Sequence, residues 1–118
     1  MNMIEPDWRE LTPREREVIL RLIDSLFVEN EQLREQVSSA QARMVDREGS
    51  LALKVDSSVP VQHNARKLPR DGYYKDEDGE RVDLILHVRD GTLKELELVK
   101  PDLSPVARLP EAGDIIIY

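Results

Sequence analysis

The groups in this 118-residue chain that could do chemistry are two histidines, seven serines and 24 acidic side chains. There is no cysteine, which excludes disulfides, zinc–thiolate sites and thiol catalysis. Tyr74-Lys75-Asp76-Glu77-Asp78-Gly79 resembles part of a calcium loop. An EF-hand places oxygen ligands at its first, third and fifth positions, glycine at the sixth and a bidentate Glu at the twelfth. With Gly79 sixth, the first position is Tyr74 and the twelfth Ile85, so both end ligands are missing and the segment reads as a solvated hairpin tip. His63 and His87 show no HxH or HExxH spacing. A zinc site built on either would need carboxylate co-ligands and convergent geometry, so each reads as a surface or packed histidine. Ser25, Ser38, Ser39, Ser50, Ser57, Ser58 and Ser104 lack nucleophile-elbow context. Asp83 and Glu97 are placed to oppose each other across a hairpin, where paired carboxylates could act as acid and base. A charged, exposed strand face explains them more simply. The five glycines form no phosphate-binding loop. The sequence therefore assigns no catalytic residue, cofactor ligand or metal ligand.

Binding is the remaining chemistry, and the few aromatics are its best carriers. They are Trp8, Phe27, Tyr73, Tyr74 and Tyr118, so the core must be aliphatic. The net charge is −7, and residues 71–118 hold 12 of the 24 acidic but only 6 of the 17 basic side chains. Such a chain repels phosphate backbones at long range, which disfavours nucleic acid as a partner. No apolar run approaches the roughly 20 residues of a membrane span, and Met1–Glu10 has no signal-peptide pattern. With no cysteine, the expected compartment is the cytoplasm.

The elements that must position these residues follow from periodicity. Thr12 is a good N-cap, Pro13 suits the first helical position, and Glu15 completes a capping box. Ile19, Leu22, Ile23, Leu26 and Phe27 then recur on one helical face, predicting a helix over 13–27. Asn30, Leu33 and Val37 predict a second over about 30–40. Leu11-Thr12-Pro13-Arg14-Glu15-Arg16-Glu17-Val18, with Leu20-Arg21-Leu22-Ile23, resembles the opening helix of LuxR-type DNA-binding domains. That resemblance implies a scanning and a recognition helix next, but Asp24 to Asn30 lacks the scanning Ile-Ala pair and strands follow.

From Arg43 onward the period changes to two. Leu51, Leu53 and Val55 alternate, as do Val82, Leu84, Leu86 and Val88, and then Leu96 and Leu98. Three loops repeat a charged–acidic–glycine signature: Arg47-Glu48-Gly49, Glu77-Asp78-Gly79 and Arg89-Asp90-Gly91. Three-residue hairpin loops ending in a left-handed glycine account for it. Apolar pairing then sets Val82 opposite Leu98, Leu84 opposite Leu96, and Val45 opposite Leu51. Tyr74 faces Val82 and points inward, Tyr73 points outward, and His87 lies across from Leu93. Val59 and Val61 start a strand toward Leu68, and Pro69-Arg70-Asp71-Gly72 is a turn. Ile115–Tyr118 either packs back as a last strand or covers a partner surface.

Tyr74-x-Asp76-x-Asp78-Gly79, Leu93-x-Glu95-Leu96-Glu97-Leu98-x-Lys100, Ser104-Pro105-Val106 and Leu109-Pro110 together resemble a family of small uncharacterised bacterial proteins. The resemblance implies a compact α+β domain and carries over no catalytic residue. The expected architecture is one domain, helical over 12–40, antiparallel sheet over 43–99 and irregular over 101–118. Two N-terminal helices pack on one face of an antiparallel sheet of about five or six hairpin-connected strands. The expected function is a protein-binding or accessory module without catalytic activity, with a protein partner or a second copy as ligand. Tyr73, Trp8, Asp76 and Asp78 are the candidate partner-binding residues. The alternatives are a small-ligand or catalytic domain using the open sheet face, and a DNA-binding regulator.

Overall fold

The computed structural model describes residues 7–24, 31–56 and 71–118. The capping box forms as the sequence predicts. The Glu15 N–H donates to Thr12 Oγ1 at 3.1 Å, and the Thr12 N–H donates to Glu15 Oε1 at 2.8 Å. Helix α1 follows over Pro13–Asp24 and helix α2 over Glu31–Ser39. The expected continuation of α1 through Leu26 and Phe27, and the Asn30 cap, lie outside the described residues, as do His63 and the expected strand at Val59–Leu68.

The strands are β1 (Arg9–Glu10), β2 (Gln41–Met44), β3 (Leu51–Lys54), β4 (Gly72–Lys75), β5 (Arg81–Arg89), β6 (Thr92–Val99) and β7 (Ile116–Ile117). They form one seven-stranded sheet in the order β1-β2-β3-β6-β5-β4-β7, with every pairing antiparallel. The fold is α+β, and the strand count exceeds the expected five or six because two-residue strands close both edges. Ile115–Tyr118 packs back: Ile115 is buried and β7 pairs with β4. Gly72 allows this approach, since a Cβ there would lie 2.7 Å from Ile115 Cγ2.

One sheet face meets both helices. Val18, Ile19, Leu22 and Ile23 of α1 and Leu33 and Val37 of α2 join Leu51, Leu53, Val82, Leu84, Leu86, Leu96 and Leu98 in a single buried cluster. Each fully buried aliphatic side chain contributes roughly 1.5–3 kcal/mol. Among the described residues Tyr74 is the buried aromatic of this core, and it sits opposite Val82 as predicted.

Two registers differ from expectation. At the β5–β6 turn the loop has two residues, with Asp90 and Gly91 both left-handed (φ 52° and 72°). That is the backbone of a primed hairpin turn. A shift between His87 and Val88 leaves Lys94 as an extra residue on β6. Leu84 therefore faces Leu98 and Leu86 faces Leu96. The bulge is what allows Leu93 and Leu96, three residues apart, both to reach the core. His87 consequently lies across from Glu95 rather than Leu93, and Asp83 and Glu97 are not opposed.

At the β2–β3 turn the loop is one residue longer than expected. Val45 N–H donates to Ser50 O, and the Asp46 carboxylate accepts the N–H groups of Gly49 and Ser50. Met44 rather than Val45 faces Leu51, so Ala42 turns inward and Arg43 outward.

Candidate functional site

Alternation places Tyr73, Arg81, Asp83, His87, Glu95, Glu97, Ala52, Lys54 and Arg43 on the sheet face away from the helices. At the β4–β7 edge, the Arg81 guanidinium lies 3.9 Å over the Tyr73 ring and 5.4 Å from that of Tyr118. The two tyrosine rings are tilted, with centroids 5.7 Å apart. Asp83 fixes the group: Arg81 Nη2 sits 2.9 Å from its Oδ1, and Tyr118 Oη donates to the same oxygen at 3.2 Å. Exposed Ile116 pairs with Tyr73 beside them. At the other side, Trp8 is half-buried and packs under Arg43 (4.5 Å) and Lys54 (5.7 Å). Such cation–π contacts are worth about 0.5–1 kcal/mol at exposed sites and hold the rings in place.

Asp76 and Asp78 have a different task. Alternation from Tyr74 turns Asp76 inward, and alternation from Leu96 and Leu98 turns Lys100 inward to meet it. Lys100 Nζ donates to Asp76 Oδ2 at 2.9 Å and to Asp78 Oδ2 at 2.6 Å. The side chains of Lys100 and Asp76 are 3% and 0% exposed, while that of Asp78 is half exposed. Asp76 also accepts the N–H groups of Ala107 and Glu77. Burial pushes the Asp76 carboxyl up, but these donors and the ammonium outweigh it and hold the carboxyl below its ordinary range. The lysine ammonium occupies the centre that the calcium-loop resemblance would have given to a metal ion. The expected solvated tip holds for Glu77, Asp78 and Gly79 and is corrected for Asp76, whose carboxylate is enclosed. Lys100 escaped the sequence reading, although its in-register position with Leu96 and Leu98 was a usable signal.

In the middle of the helix-free face, His87 Nε2 donates to Glu97 Oε1 at 2.8 Å, and Glu95 is the direct cross-strand neighbour of His87. One ligand atom from each of the three lies within 4.8 Å of the others. These are the carboxylate co-ligands and the convergence that His87 lacked in the linear sequence. The described serine hydroxyls meet no histidine. Ser38, Ser39 and Ser50 donate to backbone carbonyls and Ser104 to Asp102. A separate cavity of about 540 Å³ wraps the β4–β7 edge, lined by Arg14, Tyr73, Tyr74, Lys75, Arg108 and Ile116 among others. No helix among the described residues is long and apolar enough to cross a membrane.

Fold and surface together define a small α+β domain that covers one sheet face with helices and presents polar, aromatic-bearing chemistry on the other. The chain belongs to DUF6984, a family described as a domain of unknown function, whose model matches residues 8–110. No curated protein and no solved structure matches the chain.

Proposed function

We propose that the domain is a protein-binding module without catalytic activity, acting in the cytoplasm, and that its partner docks on the helix-free sheet face. The observation that carries this reading is where the aromatics go. Of the four aromatic side chains among the described residues, only Tyr74 belongs to the core, while Trp8, Tyr73 and Tyr118 stand on the helix-free face against cationic side chains. Tyrosine, tryptophan and arginine are the residues that dominate interface energetics. The edge strands β1 and β7 have only two residues each, which argues for docking on the face rather than strand addition.

The partner in this proposal is a different protein, bound transiently. A stable homodimer buries about 800 Å² per copy with few charges at its centre. Here Asp83, His87, Glu95 and Glu97 surround Ile85 at the centre, and Tyr73, Tyr118 and Ile116 cluster at one end. Such a face suits a polar partner that seats one apolar or aromatic side chain against the tyrosine pair.

The test is affinity capture with the purified domain, then calorimetry with each recovered protein made separately. Tyr73→Ala/Tyr118→Ala should keep the wild-type melting temperature and weaken binding at least tenfold. Equal affinity of that variant, or recovery of no partner that binds when purified, overturns the reading. The cavity at the β4–β7 edge favours a small-ligand reading second, since its volume lies in the usual range for ligand sites. A melting-temperature rise with a metabolite, lost in Lys75→Ala, would support that reading.

A further inference from the structure

We propose that His87, Glu95 and Glu97 form a binding site for a divalent transition-metal ion of the zinc type, open to solvent on its fourth side. The three residues come from two adjacent strands. Glu95 sits directly across from His87, and Glu97 lies diagonally, two residues further along β6. Lys94, the extra residue in the β6 bulge, sets this arrangement. If the ladder ran on from the two-residue turn without the bulge, Lys94 would face His87, and Glu95 and Glu97 would face Leu86 and Leu84 and point into the core.

The donor set selects the class of ion. An imidazole nitrogen beside two carboxylates suits zinc and its neighbours, whereas calcium and magnesium take oxygen ligands throughout. Two carboxylates and a neutral imidazole balance a doubly charged ion. An ion bonded at about 2.0–2.1 Å to three tetrahedral positions needs its donor atoms roughly 3.3 Å apart. His87 Nε2 and Glu97 Oε1 are already 2.8 Å apart, and all three donors lie within 4.8 Å of one another. Reaching that spacing requires the His87–Glu97 pair to open slightly and any wider separation to close, adjustments on the scale of side-chain torsions. The side chains of His87 and Glu97 are 49% and 36% exposed, so the ion can enter and its fourth position faces water.

Binding also requires a proton shift. To donate to Glu97, Nε2 of His87 must carry the proton, and a metal takes that position only after the proton leaves or moves to Nδ1. Arg89 and Lys94 line the cavity beside His87 and Glu95. Their positive charge opposes the ion and favours an anion as its fourth ligand. The site lies within the proposed docking face but rests on the donors at its centre and not on the tyrosine pair, so metal binding by the isolated chain tests it whether or not a partner docks.

The experiment is titration of the chelator-stripped full chain with Zn²⁺ by calorimetry and with Co²⁺ by visible absorption. One ion per chain is expected, with cobalt bands of low-coordinate geometry. The imidazole ¹⁵N signals of His87 should switch to the metal-bound pattern at Nε2. His87→Ala should abolish binding, and Glu95→Gln and Glu97→Gln should each weaken it at least tenfold. His63→Ala should bind as the wild type does. All of these variants should keep the wild-type melting temperature measured without metal. Failure to bind an ion, binding that survives His87→Ala, or binding lost in His63→Ala would each overturn the proposal.

Discussion

Lys100 reaches from the end of β6 to Asp76 at the end of β4 and donates to its carboxylate at 2.9 Å, with both side chains shut off from water. The pair anchors the β4–β5 turn and, through the Ala107 N–H on the same carboxylate, the irregular segment that leads to β7. A buried charge left without its partner is strongly destabilising, whereas removing both partners costs less than the two separate losses suggest. Asp76→Asn and Lys100→Met should each lower the unfolding midpoint well beyond the effect of Glu80→Gln on the exposed turn. The double variant should be less destabilised than the sum of the single ones. Thermal unfolding of the wild type and these four variants checks this, and strict additivity would mean that the pair does not act as a unit.

Acid sensitivity follows from the same carboxylate and three others. Glu15 is pushed up by burial, but the Arg9 guanidinium and the Thr12 N–H outweigh this and hold it low. Asp46 is held low against burial by Ser50 and the Gly49 N–H, and Asp78 by the Lys100 ammonium. All four, Asp76 included, lie lower in the folded chain than in the unfolded one. Their stabilisation is therefore complete above the unfolded values, which are about 3.9 for Asp and 4.3 for Glu. It is lost as pH falls further, because the unfolded chain takes up protons first. These groups should leave stability level between about pH 7 and pH 5 and make it drop steeply below about pH 4. Urea unfolding at a series of pH values measures the slope, and Asp76→Asn should make it shallower.

Gln36 offers a sharper core test than any aliphatic residue. It is fully buried, its Nε2 donates to Gly91 O at 2.7 Å, and its Oε1 accepts the Leu93 N–H at 2.9 Å. Helix α2 thereby clamps the β5–β6 turn. Gln36→Leu keeps the bulk but orphans a buried carbonyl and a buried N–H, each costing about 1–3 kcal/mol. A loss of about 2–4 kcal/mol in urea unfolding is expected. A loss within about 0.5 kcal/mol, as for an ordinary surface change, would show that the turn holds without the clamp.

Much of the scaffold was legible because it depends on local chemistry. The capping box at Thr12 and Glu15 and the aliphatic spacing at Ile19, Leu22 and Ile23 require only near neighbours. The β4–β5 hairpin was legible for the same reason, with Gly79 left-handed at φ 82° and Tyr74 opposite Val82. The β5–β6 register was misread by two residues. Apolar alternation alone cannot separate a three-residue loop from a two-residue turn with a bulge, since both keep leucine facing leucine. The Leu93 and Leu96 spacing held the clue, because only a bulge buries both.

By itself, the sequence determined the α+β class, the start of α1, the outward turn of Tyr73 and the absence of thiol chemistry. These follow from periods of 3.6 and 2, cap residues and composition. Tertiary structure alone decided which distant groups meet. Lys100 reaches Asp76 across the intervening strand, Tyr118 returns to Tyr73, and the β6 bulge carries Glu95 and Glu97 to His87. Such meetings depend on strand order and register, which set spatial neighbours independently of separation along the chain. Register at the bulge places the three donors of the proposed metal site, and the long-range return of Tyr118 completes the tyrosine pair of the proposed docking face.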